Sequence, residues 1–149
     1  MAGMTLTAYE VSGSTSTTNN TSRLYVKLSI TTGGSWNDSG DTTGYITING
    51  TKHSLDGKKF SANTTTTLYE DTVTITHNSD GSKKVTISYS FNTKISLGTY
   101  TGSKDVTLTT IPRATTISCS GGTIGGSTTI TLARKSTAFY HKLYYKMSG

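Results

Sequence analysis

The chain has 149 residues, room for one domain of common size and a remainder. Only 32% of it is hydrophobic, and 33 Thr with 20 Ser make up more than a third, a balance that suits thin sheet cores and excludes a large buried active-site cavity. The net charge of +6 comes from 14 basic and 8 acidic residues, but Lys and Arg are scattered singly or in pairs from Arg23 to Lys146, as solvated strand faces require.

The single cysteine, Cys119, rules out an intramolecular disulfide framework and reads as a buried or half-buried structural thiol. Met1 to Thr5 lacks the basic and apolar segments of a signal peptide, and no apolar run approaches the ~20 residues that cross a bilayer, so neither classical secretion nor membrane insertion is expected. Sequons at Asn20 and Asn63 follow from the Thr- and Asn-rich composition.

In chain order, Met4, Leu6 and Ala8 alternate with Thr5, Thr7 and Tyr9, the two-residue period of a half-buried strand. A Ser-Thr-Asn linker from Ser12 to Ser22 precedes a second inward row, Leu24, Val26, Leu28 and Ile30. Gly33 to Gly44 is a loop around Trp36. Tyr45 to Asn49 and Thr51 to Leu55 then pair across Asn49-Gly50, the dipeptide best suited to a type I′ turn. Leu68 to His77, with Tyr69, Val73 and Ile75, leads into the turn Asn78 to Ser82 and the strand Lys83 to Phe91, with Val85, Ile87, Tyr89 and Phe91 on one face. Alternating runs on both sides of that turn predict an antiparallel hairpin. Asp105 to Ile111, with Val106 and Leu108, closes the set. Seven or eight short antiparallel strands predict an all-β, immunoglobulin-like sandwich over residues 1–111.

Pro112 supplies no ladder donor and marks a domain junction. Residues 112–149 read as a short, incomplete second β module or strand-donating tail. Its strands are Thr115 to Cys119, Ser127 to Ala133 and Ala138 to Met147. About 37 residues are too few for a self-sufficient core, so this segment is expected to pack on a neighbour.

No catalytic constellation emerges. Glu70 and Asp71 are adjacent on a strand and point to opposite faces, which keeps them from converging on one bond. His53, His77 and His141 have no metal-ligand spacing, and Cys119 sits in no nucleophile motif. The loop oxygens of Asn37, Asp38, Ser39 and Asp41 depart from the EF-hand pattern, so neither metal nor cofactor is expected. Tyr140, Lys142, Tyr144 and Lys146 form the only basic row with aromatic interleaving, which reads as an exposed strand face rather than a nucleic-acid surface.

Carbohydrate contact remains, because sugars offer apolar faces to aromatic rings and hydroxyls to Asn, Asp and Thr. The candidate ligand-binding residues are Trp36, Asn37 and Asp38 in the Gly-rich loop, Tyr45 on the strand that follows, and Tyr25, which faces outward between Leu24 and Val26. The alternative for Trp36 is closure of the core.

The runs ITHNSDGSKKVTISYSFNTK, LGTYTGSKDVTLTTIPRATTIS and GGTIGGSTTITLARKSTAFYHKLYYKMSG resemble minor tail structural proteins of siphophages that infect Gram-positive bacteria, over roughly Thr43 to Gly149. In that family the Ile-Pro-Arg segment joins one sandwich-like repeat to the next, and the Arg134-Lys135-Ser136 stretch with its aromatic strand recurs in the second. Members continue beyond the position of Gly149, which fits an incomplete second module. No enzymatic activity and no ligand residue carries over. The resemblance implies a virion component of the tail tip or baseplate, assembled in the host cytoplasm, stabilised by packing with copies of itself and other tail proteins. The expected function is non-enzymatic adhesion to host cell-wall saccharide, with many weak sites gaining avidity on one tail. A purely architectural spacer or decoration domain, or an accessory glycan-binding module of a cell-wall hydrolase, are the alternatives.

Overall fold

The computed structural model describes residues 2–34, 41–119 and 129–133. Seven strands, β1 (Gly3–Glu10), β2 (Thr21–Thr31), β3 (Thr43–Ile48), β4 (Thr51–Ser54), β5 (Thr65–Thr76), β6 (Lys84–Asn92) and β7 (Thr99–Thr107), fall into two antiparallel sheets. One has the order β1-β2-β5 and the other β4-β3-β6-β7. The chain passes from sheet to sheet after β2, β4 and β5, a Greek-key path of the immunoglobulin-like kind, with the fourth strand added to the second sheet.

Alternation decides which side chains meet between the sheets. Leu24, Val26, Leu28 and Ile30 of β2 are fully buried, as are Ile46 of β3 and Val85, Ile87 and Phe91 of β6. Each contributes about 1.5–3 kcal/mol on burial. Phe60, from the connection between β4 and β5, meets Phe91 edge-on at 6.1 Å. The type I′ hairpin stands where the sequence places it. Asn49 (φ 49°) and Gly50 (φ 83°) join β3 to β4 and set Tyr45 opposite Ser54.

Three local expectations are corrected. The turn Asn78 to Ser82 does not close a hairpin, because β5 pairs with β2 while β6 pairs with β3 and β7. Alternation fixes which face is apolar but not which strand lies alongside, and here the turn carries the chain across the core. Second, β5 begins at Thr65, and Leu68 is a bulge residue left out of the ladder between Tyr69 and Thr67. The extra residue breaks the two-residue period, so Leu68 is buried alongside Ile75 despite opposite parity. Third, the last strand is Thr99–Thr107 rather than Asp105 to Ile111. The row that pairs with the inward side of β6 is Tyr100, Gly102, Lys104 and Val106, of which Lys104 is exposed and Gly102 leaves room for the Tyr89 ring, so apolar alternation is absent where the strand starts.

The end of the sandwich from which the chain leaves is tied by polar contacts that periodicity does not reveal. His77, 5% exposed, bonds the Gly81 carbonyl through Nδ1 at 2.9 Å and Ser22 Oγ through Nε2 at 2.7 Å. A carbonyl only accepts, so Nδ1 carries the proton. Ile111 donates its N–H to Gly81 O, Thr109 bonds Glu10 through both backbone and hydroxyl, and Arg113 donates to Thr17 O. Beyond this point β8 (Thr116–Cys119) and β9 (Ile130–Ala133) form a separate two-stranded antiparallel sheet, at the places expected for two of the three tail strands. Ala138 to Met147 lies outside the described residues.

Candidate functional site

Among the proposed ligand residues, Trp36, Asn37 and Asp38 lie outside the described residues. Tyr25 and Tyr45 both face outward, as alternation predicts, but from different sheets, so they do not share a site.

Tyr45 lines a surface cleft of about 590 Å³ on the four-stranded sheet. Register builds it. Ser54, Tyr45 and Ser90 form one row across β4, β3 and β6, and Thr43, Asn92 and Thr99 form the next across β3, β6 and β7. Neighbouring strands are about 4.8 Å apart, so the four strands offer roughly 14 Å of polar platform, enough for a short oligosaccharide. Lys52 Nζ lies 3.9 Å from the centroid of the half-exposed Tyr45 ring, a cation–π contact. Asp56, four residues after Lys52 along the same edge, also lines the cleft and accepts the Gly44 N–H at 2.8 Å through Oδ1. The wall is thus hydroxyls, a carboxamide, one aromatic ring and two opposite charges.

Tyr25 belongs to a different patch, on the outer face of the three-stranded sheet. Tyr9, 52% exposed, lies directly opposite it in the ladder, with ring centroids 4.9 Å apart. The Tyr25 hydroxyl donates to Glu70 Oε1 at 2.5 Å, and Lys27 approaches Glu70 Oε2 at 3.7 Å. The bond to Glu70, with partial burial and the carboxylate charge behind it, pushes the Tyr25 phenol up to about 12. In this patch Glu70 takes both the Tyr25 hydroxyl and the Lys27 ammonium.

The register of β3 and β4 follows from the two-residue turn, so Ser54 opposite Tyr45, and Lys52 one diagonal step away, were legible in the sequence. Ser90, Asn92 and Thr99 were not, because their place beside Tyr45 depends on long-range pairing. Tyr9 had a signal in its outward parity, but its partner Tyr25 required the β1–β2 register.

Ser22 and His77, with Glu10 nearby, have the residue types of a nucleophile, a base and an acid. Ser22 is fully buried, however, and His77 is committed on both ring nitrogens, so the group ties strands together. Burial pushes the Glu10 carboxyl up, but bonds from the Thr109 hydroxyl and backbone, together with the neighbouring Ser22 and His77, outweigh it and hold the group below its ordinary value. No group of three or more His, Cys, Asp or Glu is poised to hold a metal among the described residues.

Fold and surface together define an immunoglobulin-like β-sandwich module with an open polar cleft on one sheet. The chain belongs to the family described as siphovirus protein of unknown function (DUF859), which it matches over residues 3–149. It is therefore a siphophage protein. No curated protein and no solved structure matches it.

Proposed function

We propose that the chain is a non-enzymatic structural component of the phage tail or baseplate that binds host cell-wall saccharide through the Tyr45 cleft. The observation that carries the reading is the composition of that cleft: an aromatic ring among Ser54, Ser90, Asn92, Thr43 and Thr99 on a regular sheet face. Such a surface meets both the apolar and the hydroxylated sides of a sugar without needing catalytic groups. Family membership supports a virion role, and display of many copies on one tail would turn weak individual sites into tight attachment.

A second reading, an architectural module whose partners are copies of itself and other tail proteins, is favoured by Ile130 and Leu132. They are 46% and 48% exposed on β9, so this strand of the small two-stranded sheet presents two uncovered apolar side chains.

The test is retention of the full chain, clustered on beads, by cell walls from a panel of Gram-positive strains, with Tyr45→Ala and Trp36→Ala beside the wild type. Selective retention lost in a folded Tyr45→Ala variant supports adhesion at this cleft. Absence of retention on every strain moves the weight to the architectural reading.

A further inference from the structure

Resting on the saccharide reading of the Tyr45 cleft, we propose that the ligand carries an anionic substituent, a phosphodiester or a carboxylate, and that Lys52 binds it. Three observations converge on Lys52. It is exposed at the edge of the cleft, on the short strand β4. Its ammonium sits over the Tyr45 ring at 3.9 Å, a contact with the π face that leaves N–H donors on the side away from the ring for an anion. Among the described residues no carboxylate lies within ion-pair distance of it, whereas Lys27 is paired with Glu70 and Lys84 with Asp105.

The ring therefore steers a flexible side chain that would otherwise sample many rotamers, and reduces the entropy lost when an anion arrives. The other charge in the cleft sets the orientation. Asp56 would repel a second anion, and among the described residues its carboxylate accepts the Gly44 N–H through Oδ1 alone. Its carboxylate and the Asn92 carboxamide suit the hydroxyls of a neighbouring sugar. The ligand is accordingly a saccharide with a negative group at the Lys52 end and neutral hydroxyls at the Asp56 end. The Tyr9–Tyr25 patch lacks this combination, because Glu70 already takes both the Tyr25 hydroxyl and the Lys27 ammonium.

The experiment uses walls of a strain that retains the full chain, in three preparations: untreated, stripped of phosphodiesters with hydrogen fluoride, and with carboxylates reduced after carbodiimide activation. Wild type, Lys52→Gln, Lys52→Arg and Tyr45→Ala are compared, with circular dichroism confirming the fold. Removing whichever anion is recognised should weaken wild-type binding roughly ten-fold or more, as expected for a charge-assisted hydrogen bond. Lys52→Gln should show the same loss on untreated walls and none further on stripped ones, and Lys52→Arg should retain most of the affinity. If stripped and reduced walls bind as well as untreated ones, and Lys52→Gln matches wild type while Tyr45→Ala fails, the anion assignment is wrong and the saccharide reading survives. If Tyr45→Ala also binds like wild type, the cleft itself is the wrong site.

Discussion

Gly81 and Gly50 share a backbone conformation, each with φ of 83°, but differ in surroundings, which makes them a controlled pair. Alanine at either position costs about 1 kcal/mol for the left-handed conformation. At Gly50 the new Cβ meets nothing within 4 Å. At Gly81 it would overlap the carbonyl oxygen of Ile111 and come within 3.2 Å of Arg113 Cγ. Relieving that overlap means separating the two segments. The Ile111 N–H to Gly81 O bond of 2.9 Å, worth about 1 kcal/mol, is lost. Part of the burial of Ile111, now 1% exposed, goes with it, for roughly another 1 kcal/mol. The sum is about 3 kcal/mol for Gly81→Ala against about 1 kcal/mol for Gly50→Ala, or roughly 12 °C against 4 °C in melting temperature for a domain of this size. Urea and thermal unfolding followed by circular dichroism measure both. Equal losses in the two variants would refute the idea that the β5–β6 turn is clamped to the exit segment.

Two further predictions concern titration. The Tyr25 phenol is held at about 12 by its bond to Glu70, so in an alkaline absorbance titration Tyr25→Phe should remove a late-ionising tyrosine and Glu70→Gln should bring it down. Because the folded value exceeds the unfolded one of 10.0, that stabilisation is complete below pH 10 and is lost as pH rises towards 12; a titration unchanged by Glu70→Gln would contradict the assignment. Glu10 runs the other way. Its folded value lies below the ordinary 4.5, so its contribution is present above that pH and is lost as the solution is acidified through the lower folded value. Glu10→Gln should therefore flatten the acid limb of a stability-against-pH curve, and an unaltered limb would show that the Thr109 bonds do not act through this charge.

What the sequence disclosed and what it withheld divide along physical lines. The inward rows of β2 and β6 and the Asn49-Gly50 turn were legible because they depend on parity and on local dihedrals. Strand partnership was not, and the turn after His77 misled for that reason: polar turn residues between alternating runs serve a hairpin and a sheet-to-sheet crossing equally well. The Leu68 bulge and Gly102 beneath Tyr89 each interrupt a pattern that only the folded neighbours explain. At the site, Tyr25 was found by its outward parity and Tyr45 by its place on the strand after the Trp36 loop. Lys52 was passed over because a single lysine on a short strand carries no signal by itself, although the two-residue turn sets it diagonally from Tyr45.

The most direct test of saccharide binding at the Tyr45 cleft is an amide-resolved NMR titration of the full, isotope-labelled chain with soluble wall oligosaccharides from a retaining strain. The account predicts saturable shifts at Tyr45, Lys52, Ser54 and Ser90 and at the Asn92 side-chain amide, with Tyr9 and Tyr25 on the opposite sheet unmoved. Shifts centred on Tyr9 and Tyr25, or on Ile130 and Leu132, would contradict it.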